Sequence, residues 1–566
     1  MLRTSLACLV LAALAARSAA QIQAYTFAGA GSGNQFGTSV RNASDVDGDG
    51  FDDVVVGEPF ANPNGNNSGR VRVYSGKTGA ILFTLDGAHA GDQFGYSVAG
   101  IGDINSDGFA DVAVGAPFED YLGTQDVGSG YFFLGPLGTQ ALHWLGFSND
   151  QELGASVAAV GDVNDDGVPD AAFGSPHASI AVHHGGLLDV ISGATHLPLW
   201  SFNGLFADGE LGFSAASAGD VNHDLHDDIV VGAPFAGAST EGVVTVFSGA
   251  DGSTLYTKSG QSANSEFGFS VSGARDIDND GWPDFVVGAP LESATGTAAG
   301  RVRVYSGHTG SLMWTNSGSP GYHLGYSVSA ISDVDGDGFA DYIAGSPFGD
   351  HNSTQGAGIV RVFSGATGNV YHSFFGDNTG DHLGWSVSRG GDVNNDGTPD
   401  IVAGAPNAST NGANSGLARV WFMGCPNPST YCTAKTNSAG CVPQIDHTGV
   451  PTRVTGADDF VITASNVLTN KNGLLFWGHG SLSNPFHGGT VCVASPKVRT
   501  AIQNSGCAAC GVCQGAYSFH FSHAYMAAHS VQGGDTLYAQ FWSRDSGFAP
   551  PGNYGLTDAL QFTVAK

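Results

Sequence analysis

Seven stretches of nine residues in this sequence carry side-chain oxygens at the same four positions. The clearest copy is DVDGDGFDD, from Asp45 to Asp53, with acids at positions 1, 3, 5 and 9 and glycine at position 6. Carboxylate, amide and backbone carbonyl oxygens are the ligands of Ca²⁺, which takes about six to eight of them in a flexible shell. The spacing therefore predicts a calcium loop, in which the backbone carbonyl of position 7 completes the ligand set.

The copies begin 56 to 59 residues apart, and each holds an acid or an amide at all four side-chain positions. The fourth copy has Leu225 where the others have glycine, so it is predicted to be the weakest site. The predicted ligands, at positions 1, 3, 5, 7 and 9 of each copy, are Asp45, Asp47, Asp49, Phe51, Asp53; Asp103, Asn105, Asp107, Phe109, Asp111; Asp162, Asn164, Asp166, Val168, Asp170; Asp220, Asn222, Asp224, His226, Asp228; Asp276, Asp278, Asp280, Trp282, Asp284; Asp333, Asp335, Asp337, Phe339, Asp341; and Asp392, Asn394, Asp396, Thr398, Asp400.

A turn without metal is the alternative for any one copy, because Asp, Asn and Gly are common turn residues. Seven matching copies favour calcium. Without a cation, each pair of carboxylates within a loop would repel by about 1 to 4 kcal/mol. An EF-hand is excluded because it needs Glu at position 12, whereas apolar residues such as Val54-Val55-Val56 follow each loop. The loops are predicted to be hairpins that run into β-strands, with about seven structural Ca²⁺ ions in all.

Composition indicates an exported, acidic, β-rich protein. The chain has 566 residues and a net charge of −31, which argues against nucleic acid and anionic membrane surfaces as partners. Residues 1–20 predict a secretory signal peptide, with Arg3 before an apolar core and small residues before Gln21. No later stretch approaches the roughly 18 apolar residues of a membrane-spanning helix. Export would expose the loops to millimolar calcium.

The spacing of the loops leaves room for four short strands in each repeat. Four strands per unit and seven units predict an all-β, seven-bladed β-propeller over residues 21–424. The seventh repeat ends after its third strand, so the N-terminal strand Tyr25–Gly29 is predicted to complete that blade and close the ring. Later strands of the first repeat are predicted at Asp53–Val56, Arg70–Tyr74 and Ile81–Leu85.

Two further signatures accompany every loop: a Phe/Leu-Gly pair before it and a Gly-x-Pro after it. The pairs are Phe36-Gly37, Phe94-Gly95, Leu153-Gly154, Leu211-Gly212, Phe267-Gly268, Leu324-Gly325 and Leu383-Gly384, and the prolines are Pro59, Pro117, Pro176, Pro234, Pro290, Pro347 and Pro406. These units resemble FG-GAP repeats, the units of the integrin α-subunit propeller. The resemblance implies a ligand surface on the face opposite the calcium loops. Seven metal-competent loops are a departure, since integrin propellers typically carry them in only some blades.

Residues 425–566 predict a second, smaller β-sandwich-like domain of unknown role. They contain every cysteine of the mature chain: Cys425, Cys432, Cys441, Cys492, Cys507, Cys510 and Cys513. Disulfides are favoured in a secreted chain. The alternative is a zinc site formed by Cys507, Cys510 and Cys513 with His520, His523 and His529.

No catalytic or organic-cofactor residues are predicted. The serine that follows each Phe/Leu-Gly pair recurs seven times, as a structural residue would, and no Gly-x-Ser-x-Gly elbow occurs. With the resemblance, these patterns predict a secreted or cell-surface calcium-binding propeller that acts in adhesion or binds an extracellular protein or glycan. Two alternatives stay open, an extracellular hydrolase built on a propeller and a structural surface or matrix protein. Clustered acids opposite the calcium loops would favour the enzyme, and an exposed aromatic patch there would favour binding.

Overall fold

The computed structural model describes residues 22–335, 337–423, 429–431, 434–449, 451, 460–486, 489–506, 513–532, 535–545 and 554–564. The predicted signal peptide, residues 1–20, lies outside the described residues. Up to residue 423 the strands form seven antiparallel sheets of four strands each. These sheets are the blades of a seven-bladed β-propeller, as predicted.

The first four blades follow one another along the chain after strand β1 (Ile22–Ala28). Blade 1 contains β2 (Ser39–Ser44), β3 (Asp53–Glu58), β4 (Arg70–Tyr74) and β5 (Ile81–Asp86); blade 2, β6 (Ser97–Gly102), β7 (Asp111–Ala116), β8 (Ser129–Leu134) and β9 (Thr139–Leu145); blade 3, β10 (Ser156–Gly161), β11 (Asp170–Ser175), β12 (Leu187–Ile191) and β13 (Pro198–Asn203); and blade 4, β14 (Ser214–Gly219), β15 (Asp228–Ala233), β16 (Val243–Phe247) and β17 (Thr254–Ser259).

The last three blades repeat the same order. Blade 5 contains β18 (Ser270–Ala274), β19 (Asp284–Ala289), β20 (Arg301–Tyr305) and β21 (Leu312–Ser317); blade 6, β22 (Val328–Ile331), β23 (Asp341–Ser346), β24 (Ile359–Phe363) and β25 (Val370–Phe375); and blade 7, β26 (Ser386–Gly391), β27 (Asp400–Ala405), β28 (Leu417–Phe422) and the N-terminal strand β1.

The N-terminal strand completes the seventh blade by pairing antiparallel with β28, from Ile22 opposite Phe422 to Ala28 opposite Leu417. This confirms the prediction that the N-terminal strand completes the seventh blade. The strand covers an edge of β28 whose backbone groups would otherwise be free to pair with another chain.

Burial follows the order of strands within a blade. The second strand of each blade is buried along its whole length, as in β3 and β7, whereas the outermost strand β5 alternates between exposed and half-buried residues. The apolar run after each loop is therefore the part of the blade that packs against both neighbouring blades. One core cluster, for example, combines Val55 and Val71 of blade 1 with Val112 and Val114 of blade 2.

The recurring serines join neighbouring blades. Four donate from Oγ to the carbonyl of the signature glycine in the next blade, over 2.7–2.9 Å: Ser97 to Gly154, Ser156 to Gly212, Ser214 to Gly268 and Ser270 to Gly325. Three accept a backbone N–H across the same boundary, over 3.0–3.2 Å: Ser39 from Val98, Ser327 from Val387 and Ser386 from Val40. The bond from Val40 to Ser386 links blade 1 to blade 7, so the chain of serine bridges runs around the whole ring.

The two glycine signatures meet at the same boundary. A Cβ at Gly57, the glycine of the first Gly-x-Pro, would lie 2.0 Å from the carbonyl oxygen of Gly95 in the next blade. At the closing boundary, a Cβ at Gly404 would lie 1.9 Å from the carbonyl oxygen of Gly37. Only glycine permits this backbone approach, which explains why the glycine of the Gly-x-Pro signature recurs in every repeat.

Beyond the propeller the described strands form three further antiparallel sheets, and the two larger ones share a core. The strands are β29 (Ser429–Tyr431), β30 (Gln444–Thr448), β31 (Val461–Val467), β32 (Asn472–Gly478), β33 (Ser481–Phe486), β34 (Gly489–Val493), β35 (Val498–Arg499), β36 (Gln503–Asn504), β37 (Gly515–His520), β38 (Thr536–Arg544) and β39 (Tyr554–Thr563), with one short helix, α1 (His523–Ala528). The smallest sheet pairs β33 with β34. The two larger sheets have the orders β29-β39-β38-β32-β35, in which β36 also pairs with β32, and β30-β31-β37. Their shared core includes Ile462, Trp477, Tyr517 and Phe541.

A disulfide joins Cys441 to Cys513, which confirms the predicted use of disulfides in this region. Because its sulfur is in that bond, Cys513 is not a thiolate ligand for the alternative zinc site. Cys507 and Cys510, the other two cysteines of that motif, lie outside the described residues, as do Cys425 and Cys432.

Candidate metal sites

Each nine-residue loop connects the first and second strands of its blade, so all seven loops lie at the same edge of the ring. The position 1 carboxylate organises the loop by accepting backbone N–H groups. Asp45 accepts from Gly48 (2.7 Å) and Asp49 (3.0 Å) through Oδ1, and from Gly50 (2.8 Å) through Oδ2. The bond from position 6 to position 1 recurs in the other six loops at 2.7–2.9 Å. The chain thus wraps around its own carboxylates.

In three loops the carboxylates converge closely enough to share one cation. One ligand oxygen from each of positions 1, 3 and 9 lies within 4.8 Å of the other two, in sets that are Asp45, Asp47 and Asp53; Asp276, Asp278 and Asp284; and Asp333, Asp335 and Asp341. We call these the all-acid loops, because they belong to blades 1, 5 and 6, where position 3 is aspartate. Their hard oxygen donors fit Ca²⁺.

The loops of blades 2, 3, 4 and 7 have asparagine at position 3, and we call them the amide loops. In three of them the asparagine Nδ2 donates to the aspartate at position 5: Asn105 to Asp107 (2.9 Å), Asn222 to Asp224 (2.8 Å) and Asn394 to Asp396 (3.1 Å). In these loops a hydrogen bond between positions 3 and 5 therefore replaces the repulsion that two carboxylates would have there.

The position 9 aspartate is fully buried in all seven loops and accepts two backbone N–H groups. Asp53 accepts from Val46 of its own loop (2.8 Å) and from Gly76 (2.9 Å), which follows the third strand. The same pair of bonds recurs at Asp111, Asp170, Asp228, Asp284, Asp341 and Asp400. The position 9 aspartate, which was predicted only as a ligand, therefore also connects the loop to the segment that follows the third strand of its blade.

Burial raises the pKa of these position 9 carboxyls, and the neighbouring loop carboxylates raise it further, against the lowering effect of the two N–H donors. The pKa rises to about 7 for Asp53, Asp228, Asp284 and Asp341, to about 6 for Asp111 and Asp170, and to about 9 for Asp400. At position 3, burial and then Asp337 and Asp333 raise the pKa of Asp335 to about 6. A divalent ion at these sites would favour the ionised carboxylates.

Leu225 occupies the turn of the fourth loop with a φ of +74°, in the left-handed region that glycines adopt in the other loops. Its N–H still donates to Asp220 (2.9 Å), so the turn is kept in spite of the side chain.

At position 7 the N–H donates to the position 5 aspartate, as from Phe51 to Asp49 (3.2 Å). The carbonyl ligands at position 7, and the ligand role of each loop residue, stay predictions.

The opposite edge of the ring carries side chains that the sequence patterns did not single out. Tyr326 lies 4.7–6.1 Å, between ring centroids, from Phe269, Phe348 and Trp385. All four of these aromatic residues directly follow a Phe/Leu-Gly pair or a Gly-x-Pro, and this position is the sequence signal that would have revealed them. We call this group, together with Phe213, Phe235, Tyr96 and Phe118, the aromatic rim.

Histidines also gather at this edge in blade 3. His177 lies between two acids, 3.0 Å from Glu152 and 3.4 Å from Glu210, and its ring lies 5.1 Å from that of His184. Hydrogen bonds to Glu152 and Glu210 raise the pKa of His177 to about 10.

Within the described part of the chain, no helix has the length and apolar character needed to cross a membrane.

Comparison with known proteins matches the FG-GAP repeat at residues 36–74, 94–133, 212–247, 267–305, 324–363 and 383–421. The matches cover every blade except the third. Integrin alpha-5 of Xenopus laevis is 34% identical over 218 residues, which are 35% of this chain and 20% of that protein. Integrin alpha pat-2 of Caenorhabditis elegans is 30% identical over 260 residues, 43% of this chain and 17% of that protein. The similarity therefore spans about a fifth of the integrin chains or less.

Among solved structures, that of BBS1N in complex with ARL6DN, soaked with lead, has a TM-score of 0.44 at 11% identity. The superposition covers 71% of this chain and 97% of that chain.

Proposed function

From the premise that the chain is an FG-GAP repeat protein with an integrin-α-like propeller, we propose that it is an extracellular, calcium-dependent adhesion or ligand-binding module. The observation that carries this proposal is the pairing of two different edges on one ring. One edge holds the acidic loops, and the other holds the aromatic rim. The proposal includes export through the N-terminal signal, and a separate C-terminal domain at 425–566.

Calcium would act as a structural brace. The convergence of three carboxylates in each all-acid loop supports this role, and so does the position 9 aspartate that ties the loop to the third strand. A bound ion would neutralise the loop and hold both segments together. If each site had a dissociation constant on the order of 0.1 mM, millimolar calcium would stabilise the fold by about 1.4 kcal/mol per site.

The aromatic rim supports a ligand surface opposite the loops. Tyr96 is 38% exposed, and its ring packs edge-on against Phe118, 6.2 Å away. Aromatic side chains contribute much of the contact energy of protein interfaces and also stack on sugar rings. Glu152 and Glu210 at this edge are both paired with His177, so this pair of acids does not favour the hydrolase alternative. We propose an extracellular protein or glycan as the ligand and assign no catalytic step.

A screen of matrix proteins and glycans, with calcium and with excess EGTA, would test the proposal. The calcium-loaded protein is expected to bind a member of the panel, and Tyr326→Ala and Phe348→Ala should each weaken that binding. Tyr371→Ala, at a 38% exposed aromatic residue on outer strand β25, is the matched control and should leave binding unchanged. Equal loss in all three variants, or binding unaffected by EGTA, would argue against this assignment.

A further inference from the structure

Six blades repeat one backbone arrangement at the edge opposite the acidic loops, and blade 4 follows it except that the N–H of Asn264 donates to both Ser239 (3.3 Å) and Thr240 (3.1 Å). The loop between the second and third strands runs beside the loop that leads into the next blade. In blade 3 this contact consists of N–H donation from Asp208 to the carbonyl of His183 (2.8 Å), from Glu210 to His184 (3.2 Å) and from Leu211 to Gly185 (2.9 Å). In blade 2 the corresponding bonds run from Asp150 to Gln125, from Glu152 to Asp126 and from Leu153 to Val127, at 3.0–3.1 Å.

Seven copies of this scaffold allow three equivalent positions to be compared: 183, 184 and 208 of blade 3. Only blade 3 places two imidazoles and a carboxylate there. The equivalent residues are Asn66, Asn67 and Gly91 in blade 1; Gln125, Asp126 and Asp150 in blade 2; Ser239, Thr240 and Asn264 in blade 4; Thr297, Ala298 and Gly321 in blade 5; Gln355, Gly356 and Gly380 in blade 6; and Ala413, Asn414 and Gly33 in blade 7.

The three blade 3 side chains converge. Nδ1 of His183 lies 2.7 Å from Oδ1 of Asp208, and Nδ1 of His184 lies 3.6 Å from the same oxygen. The two imidazole rings are 3.9 Å apart between centroids, and one ligand atom from each residue lies within 4.8 Å of the other two. His184 has a φ of +41°, the left-handed conformation that also occurs at Asn67, Asp126 and Thr240 of other blades. The recurring scaffold thus brings two consecutive side chains toward one carboxylate.

The surroundings define which side chains are available as ligands. His177 stacks near His184, but its two ring nitrogens are engaged by Glu152 and Glu210. It therefore supports the loop and is not counted as a ligand. His183 and Asp208 are each 69% exposed, so an ion has an open path and free coordination positions for water.

We propose that His183, His184 and Asp208 form a binding site for a borderline divalent cation of the zinc class, distinct from the calcium loops. Two imidazole nitrogens and one carboxylate oxygen are a donor set that Zn²⁺ uses, with distances of about 2.0–2.2 Å and a remaining position for water or another ligand. The calcium loops offer oxygen donors alone. In this proposal the edge with the nine-residue loops binds a hard cation, Ca²⁺, and the opposite edge binds a borderline cation such as Zn²⁺.

Equilibrium dialysis of the tag-free, calcium-saturated full chain against zinc tests this proposal. The variant His183→Gln/His184→Gln is expected to bind one ion fewer than the wild type, and Asp208→Asn should weaken that site by at least about tenfold. His89→Gln is the matched control, because His89 is exposed and faces a single acid, Asp92, at 3.6 Å. Unchanged zinc stoichiometry and affinity in the double histidine variant would overturn the proposal.

Blade 4 offers the converse experiment. There Oγ1 of Thr240 already lies 2.6 Å from Oδ1 of Asn264, so its positions equivalent to 184 and 208 are in contact. Ser239→His/Thr240→His/Asn264→Asp is expected to add one zinc ion and to give a Co²⁺ absorption spectrum like that of the native site. A folded transplant that gains no ion would contradict the claim that the repeated backbone sets the ligand geometry.

Discussion

The all-acid loops of blades 1, 5 and 6 and the amide loops of blades 2, 3, 4 and 7 share one backbone. In both classes the side-chain oxygen of position 3 accepts the N–H of position 5, at 3.1 Å in blade 1 (Asp47) and 3.1 Å in blade 2 (Asn105). The difference lies in charge. In most amide loops the asparagine also donates to the position 5 aspartate, whereas the all-acid loops bring carboxylates together without such a donor.

This comparison shows that the shape of a loop and its affinity for a cation are separate properties. The shape depends on backbone hydrogen bonds to positions 1, 5 and 9, which both classes make. The affinity for a cation depends on how many carboxylates those hydrogen bonds bring together. We therefore expect the all-acid loops to bind calcium more tightly, while both classes keep the same turn.

Removal of the cation from all loops at once should have the largest effect. Excess EGTA is expected to lower the melting temperature by several degrees, because the loop carboxylates then repel one another, and calcium should restore it. Differential scanning calorimetry measures the shift. Magnesium added with EGTA is the control and should restore less, since it demands a smaller octahedral shell. Equal melting with and without EGTA would remove the structural role of the metal.

Asp53→Ala should have the next largest effect, since it leaves the N–H groups of Val46 and Gly76 buried without acceptors. The expected loss in the free energy of unfolding is about 2 to 5 kcal/mol, even in EGTA. Denaturant unfolding measures it, and Asp111→Ala in an amide loop should behave alike because position 9 does not differ between classes. A loss seen only with calcium would show that the residue acts as a ligand alone.

Exchanging the position 3 residues tests the comparison directly. Asp278→Asn is expected to weaken calcium binding in blade 5, and Asn105→Asp to strengthen it in blade 2, each by about tenfold, or about 1.4 kcal/mol. Isothermal titration with calcium measures both. Asn222→Asp repeats the second change in blade 4, where Leu225 should limit the gain. Changes of the same sign in both exchanges would break the comparison.

A smaller effect is expected from Leu225→Gly. A non-glycine residue in the left-handed region costs about 1 kcal/mol, so glycine should stabilise the fourth loop by roughly that amount. Thermal unfolding in EGTA isolates this backbone effect from metal binding. Leu312→Gly, at an exposed strand residue of β21, is the control and should destabilise.

Asp189 on β12 is a buried carboxylate that lies outside the nine-residue loops, so its ionisation can be tested without a metal site. It accepts from Ser201 Oγ (2.6 Å), and burial raises its pKa. A raised folded pKa means that ionisation destabilises the fold as the pH rises above the unfolded value. Asp189→Asn should therefore raise the melting temperature slightly at pH 7 and not at pH 3.5. Equal effects of Asp189→Asn at both pH values would contradict the sign.

Much of the fold was predictable because its information is local and repeated. The period of the Asp-rich loops, the short apolar runs and the spare N-terminal strand were enough to predict the number of blades and the way β1 completes the last one. The second role of Asp53 was not predictable. Its partner Gly76 lies on another segment of the blade and donates a backbone N–H that no side-chain pattern records.

The sequence by itself determined the seven oxygen-rich loops, because their candidate ligands lie within nine residues and a single turn brings them together. Only the tertiary structure decided the serine bridges between blades and the meeting of His183 and His184 with Asp208. Those contacts join residues that are 25 positions apart, as His183 and Asp208 are, or as many as 346 apart, as Val40 and Ser386 are, and their distances depend on the packing of the ring.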